Sequence, residues 1–163
     1  MQPLNSPIEL GVRSVVILVS LYPERADLNR LVLMDHCLLH SADLGGPESI
    51  LPQTPARVGE LGVKRTAIEH GLRVMMRAGM VEALATERGL EYIAREEASP
   101  FLELLESAHL RDLRQYATWV VSEFGGLDAV EIRDRISGVM DSWSEELGDL
   151  APAEAVMEQE DDG

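Results

Sequence analysis

Apolar and polar residues recur along this chain with two periods, and the switch between them lays out the elements. Over residues 7–21, Ile8, Val12, Val15, Val16 and Val19 make one apolar stripe at helical spacing, while Leu10, Ile17 and Leu21 lie roughly opposite. Ser6 as N-cap, Pro7 at the first helical position and Glu9 at the third form a capping box, and Pro23 stands just past the far end. A helix apolar on two faces is either central in its own domain or packed on a partner, and the pattern favours the first because buried helices are commoner.

Asp27 can cap a second helix over 28–40, in which Leu28, Leu31, Val32, Leu33, Met34, Cys37, Leu38 and Leu39 leave little polar surface. Asn29, His36 and His40 form its narrow wet stripe. Asp35 instead falls among Leu28, Leu31 and Leu39, so it should be satisfied by an arginine or by backbone N–H groups of a neighbour, since buried charges are normally paired. The run SADLGGPESILPQ over 41–53 then reads as a long irregular loop.

The rest is organised around 54–95. Thr54 and Pro55 start a short helix over 56–61 that Gly62 breaks. A long amphipathic helix follows over 65–78, with Ala67, Ile68, Gly71, Leu72, Val74, Met75, Met76 and Ala78 on its apolar face and Thr66, Glu69, His70, Arg73 and Arg77 displayed. The period then drops to two: 81–86, a turn at Glu87-Arg88-Gly89, and 90–95 predict a hairpin. Helix, turn, helix and hairpin in that order predict a mostly α fold containing a winged helix-turn-helix with a two-stranded wing, flanked by N-terminal and C-terminal helices.

Downstream, Ser99 and Pro100 start a helix with Phe101, Leu102, Leu104 and Leu105, and another over 110–124 carries Leu110, Leu113, Ala117, Val120, Val121 and Phe124. Trp119 falls on its opposite side, as an interface anchor or packed under the last helix. Gly125-Gly126 ends this helix, and Asp128 with Glu131 caps a final one carrying Ile132, Ile136, Val139, Met140, Trp143 and Leu147. The acidic run after Gly148 is poor in core residues. The expected organisation is one helical domain over 1–148, with the winged helix-turn-helix at about 27–97, and a disordered acidic tail over 149–163.

Length and charge narrow the function. At 163 residues the chain is long enough for a core that needs no staples. Its single cysteine excludes an internal disulfide and a Cys-cluster zinc site, which suits a reducing cytosol. The apolar run VVILVSL is too short to span a bilayer and no signal peptide is evident, so a cytoplasmic, soluble protein without a membrane partner is expected. The net charge is -15, and its distribution is uneven. Basic residues stand 4 against 7 acidic ones over 1–60, 6 against 6 over 61–100, 4 against 11 over 101–150 and 0 against 5 beyond. The winged-helix stretch is the electroneutral part. An acidic body repels phosphate, so DNA binding by the isolated chain is disfavoured.

Candidate partner or DNA contacts are Lys64, Arg65, Arg73, Arg77 and Arg88, where a winged helix meets its ligand, together with Trp119. The competing reading is that Glu69, between Arg65 and Arg73 at spacings of four, pairs with both. His36, His40 and Asp43 have a weak metal-ligand spacing, without HExxH, and two surface histidines are the simpler reading. Cys37 lies on an apolar helix with no cation to activate it. There is no phosphate-binding glycine loop, no nucleophile elbow and no carboxylate pair, so neither an enzyme nor a cofactor is expected.

The segments LNSPIELGVR, DLNRLVLMDHCLLHSADLGGPESILPQTPARVGELGVKR and RAGMVE followed by SPFLELLES resemble the small middle-component family of bacterial ABC-three component systems, over roughly 3–147. That resemblance implies a chain encoded beside an SMC-like ABC ATPase and a third, effector component, in systems associated with defence against phage and other foreign DNA. It implies a winged-helix accessory subunit, similar in role to the Kite subunits of SMC complexes, that bridges the other two; the acidic body adds the expectation that DNA is touched only within the assembly, and a homodimer is compatible with the sequence. A winged-helix transcriptional regulator is the alternative, and a metal-dependent enzyme using His36, His40 and Asp43 a third. The family contributes no site residues.

Overall fold

The computed structural model describes residues 6–49, 60–105 and 107–139. Its elements are α1 (Pro7–Leu21), β1 (Ala26–Asp27), α2 (Leu28–Leu39), a 3-10 turn (Ser41–Leu44), α3 (Glu60–Arg77), β2 (Val81–Thr86), β3 (Gly89–Ala94), α4 (Ala98–Leu104), α5 (Ala108–Phe124) and α6 (Ala129–Val139). The fold is mostly helical, with one small antiparallel sheet in the order β1-β3-β2.

Local signals set the helix starts. Ser6 Oγ accepts the Glu9 backbone N–H at 3.2 Å, Asp27 Oδ1 accepts that of Arg30 at 2.8 Å, and Asp128 and Glu131 exchange side-chain to backbone bonds at 2.8 and 3.1 Å. The α5 start is also capped, by Ser107, which accepts the Leu110 N–H at 3.1 Å; the sequence reading began that helix two residues late. It began α4 late as well. Ser99 lies within α4, and Glu97, in helical conformation with no side-chain cap bond, precedes it. Leu102 is buried, whereas Leu104 and Leu105 at the end of α4 face outward.

α1 lies at the centre. Leu10, Val15, Val16, Ile17, Leu18 and Leu21 are buried, and the helix packs against α2, α3, α4, α5 and β3. Its two apolar faces are thus both used inside the chain. Against α3 the backbones nearly touch: a Cβ on Gly71 would lie 2.4 Å from the Pro7 carbonyl oxygen and 2.7 Å from the Gly11 nitrogen. Only glycine permits that approach.

Four expectations change. Gly62 does not break a helix, since α3 runs through it from Glu60. A helical glycine costs only about 1 kcal/mol, less than the burial of Ile68 and Leu72 and the Lys64 ion pair give back. His36 and His40 are not on a wet stripe, being 2% and 7% exposed, because α1, α3, α5, α6 and the 3-10 turn surround α2. The hairpin is not two-stranded alone, because Ala26 and Asp27 pair with Tyr92 and Glu91 of β3. The loop after α2 also begins with a helical turn, Ser41–Leu44. The short helix over 56–61 falls almost wholly outside the described residues, as do Met140, Trp143, Leu147 and the tail.

Candidate functional site

The strongest concentration of charge is sealed inside. Asp35, fully buried on α2, receives Arg13 of α1 through two bonds, Nε to Oδ1 at 2.7 Å and a terminal nitrogen to Oδ2 at 3.1 Å. Lys64 of α3 places its Nζ 3.1 Å from Oδ2. Burial pushes the Asp35 carboxyl upward, but the Lys64 ammonium and the Arg13 guanidinium outweigh it and bring the group down to about 2. The carboxylate is therefore ionised, fully paired and out of reach of a substrate, and it ties three helices together. This meets the expectation of an arginine partner for Asp35. Arg13 itself was missed; its signal was a charge set among the apolar residues of α1, as Asp35 is among those of α2.

Beside this cluster the His36 and His40 rings stack, with centroids 4.6 Å apart and planes 29° apart. Burial, then the Lys64 charge, holds His36 well below the usual imidazole range. His40 Nδ1 is 3.9 Å from Asp43 Oδ2. Stacked rings direct their nitrogens to the edges rather than to a common point, and among the described residues no three His, Cys, Asp or Glu side chains converge to hold a metal. Cys37 is buried, and burial pushes its thiol far up, so it packs as a small apolar group.

The candidate contact residues divide. Lys64 belongs to the buried cluster, its side chain 13% exposed. Arg65 reaches back to α2, donating from Nε to Asn29 Oδ1 at 3.0 Å, so Glu69 does not bridge two arginines. Glu69 does pair with Arg73, at 3.5 Å, on the open side of α3. Arg77, in the last turn of α3, and Arg88, in the hairpin turn, are exposed. Trp119 is half-buried against the loop after α2: the indole occupies the space a Cβ on Gly46 would take, and it meets the Phe124 ring edge-on at 5.9 Å. Tyr116, one turn earlier on α5, donates its hydroxyl to the Glu48 carbonyl. Two aromatic side chains thus pin this loop to α5.

No helix among the described residues is long and apolar enough to cross a membrane. What the surface offers is the α3 stripe, the hairpin and isolated apolar side chains, with Leu104 82% and Val63 72% exposed.

Comparison with curated proteins and with solved structures gave no match. Over residues 3–146 the chain matches the family described as ABC-three component (ABC-3C) system Middle Component 2. The match spans every described element, from the Ser6 cap to the end of α6. The chain belongs to the Middle Component 2 family of ABC-three component systems.

Proposed function

We propose that this chain is a non-enzymatic accessory subunit that bridges an SMC-like ABC ATPase and an effector component, acting in defence against phage or other foreign DNA. The observation that carries the reading is the family match across the whole described fold, which makes the chain one component of a multi-component ABC system. The sealed Arg13–Asp35–Lys64 cluster is consistent with it, because the strongest ionic group stabilises the fold instead of facing a ligand. The acidic charge of -15 favours protein partners over free nucleic acid. Expression of the tagged chain together with the proteins encoded beside it tests the role: the ATPase should co-elute at fixed stoichiometry, and its absence from the eluate would sink the proposal.

A second reading, a winged-helix transcriptional regulator, draws on one arrangement. α3 feeds directly into the β2–β3 hairpin, with β1 on the far side of β3, and Arg73, Arg77 and Arg88 stand outside. Specific retardation of its own upstream DNA by the isolated chain at moderate salt, lost in Arg73→Glu, would favour that reading. Binding only in the presence of the ATPase would return it to the first.

A further inference from the structure

The sheet has two edges, and they differ in kind. β1 is two residues long, while β2 is a six-residue strand, VEALAT, with which no second described strand pairs; Val81 at its start is buried, and Glu82 and Ala85 are exposed. The hydrogen-bonding phase of that edge follows from the register. The Arg95 N–H donates to the Met80 carbonyl at 2.9 Å, so the pairs continuing at two-residue steps, Glu82↔Ile93, Leu84↔Glu91 and Thr86↔Gly89, are the bonded ones. The backbone N–H and C=O groups of Val81, Ala83 and Ala85 therefore point away from β3. An edge of this length is normally blunted by lysine, proline or a bulge. β2 has none of these, and its single charge is Glu82.

A second observation lies beside the edge. The outer face of the sheet forms a cleft of about 360 Å³ lined by Tyr22, Glu82, Ile93, Arg95, Glu96 and Glu97. Arg95 is engaged with Glu97 at 3.7 Å. Among the described residues Glu82 and Glu96 have no cationic partner, and the Tyr22 ring is 54% exposed. Carboxylates beside an aromatic face suit a lysine or arginine side chain.

We propose that the free edge of β2 takes an extended segment of a partner protein as a fourth strand, with one basic side chain of that segment held between Glu82, Glu96 and the Tyr22 ring. The backbone supplies affinity and the cleft supplies the choice of side chain, as in strand addition generally. Charge complementarity identifies the occupant: the edge and its cleft are acidic, so the added strand is basic on its outer face. A second copy is a poor occupant, because its own β2 edge would bring Glu82 against an acidic cleft.

This inference rests on the proposed role as a partner-binding subunit, and the test separates the two. The full chain, tagged, is co-expressed with the proteins encoded beside it. Ala83→Pro removes an outward N–H without touching a β2–β3 bond, Glu82→Lys reverses the cleft charge, and Asp112→Lys makes the same reversal at an exposed position on α5. The expected result is a complex with wild type and Asp112→Lys, and at least about tenfold weaker retention of Ala83→Pro and Glu82→Lys, with melting temperatures within about 2 °C of wild type. If Ala83→Pro does not fold, Glu82→Lys and amide exchange decide. Exchange at Ala83 and Ala85 should slow at least about tenfold in the complex. A wild-type complex that holds both variants equally, with those amides unchanged, overturns the strand addition and leaves the subunit role standing. Absence of any wild-type complex overturns both, and a dimer formed through β2 by the chain alone replaces the partner segment with a second copy.

Discussion

Gly11 of α1 and Gly71 of α3 meet backbone to backbone, so that a Cβ on Gly11 would stand 2.9 Å from the Gly71 carbonyl oxygen. Neighbours made of backbone cannot swing aside. Gly71→Ala should therefore push the two helices apart and destabilise the chain by about 1–3 kcal/mol, read by urea denaturation. Gly138→Ala, with open space around the added Cβ in α6, should be neutral or stabilising by up to about 1 kcal/mol. Equal losses from both would remove the close crossing as the cause.

Asp35 neutralises two cations at once, so removing its charge strands both. Asp35→Asn should cost about 3–5 kcal/mol. Lys64→Met should cost much less, because the Arg13 bonds remain and the ammonium is already partly wet. Denaturation midpoints in the opposite order would mean that Lys64, not Arg13, is the principal partner.

Stability should decline in acid in two stages. His36 is held below its ordinary 6.5, so the unfolded chain takes up a proton there that the folded chain refuses, and stability falls as the pH drops below 6.5. Asp35 stands at about 2 against an ordinary 3.8. Its contribution, about 2 kcal/mol, is complete above 3.8 and lost as the pH falls towards 2. Urea titrations across the acid range should show both stages, with His36→Gln flattening the upper one and Asp35→Asn the lower.

Trp119 reports on the loop it holds. Gly46→Ala would place a Cβ 2.4 Å from the indole, which must then leave its seat. In a Trp143→Phe background, so that one indole emits, the fluorescence should shift to the red while the far-ultraviolet signal is kept. An unshifted spectrum would mean that the loop, rather than the ring, gives way.

What was legible in the sequence was local. Ser6, Asp27, Asp128 and the hairpin turn act within a few residues of themselves, and each element they delimit is where the pattern put it. The two apolar faces of α1 also announced a central helix, and Asp35 announced a partner. What escaped depends on distant chain. Two residues of β1 become a strand only because β3 is there to bond them, and His36 and His40 are dry only because four helices and a turn close over α2. A wheel drawn on one helix has no means of counting its neighbours.

The central place of α1 has a consequence in time. It precedes the elements that cover it, and of these α5 ends only at Phe124. At about 5–20 residues per second, Val15 to Leu18 wait roughly 5–20 s after they leave the ribosome before their cover is complete. During that interval the nascent chain carries an open apolar helix, and its yield in the cell depends on what shelters that helix as much as on the stability of the finished fold.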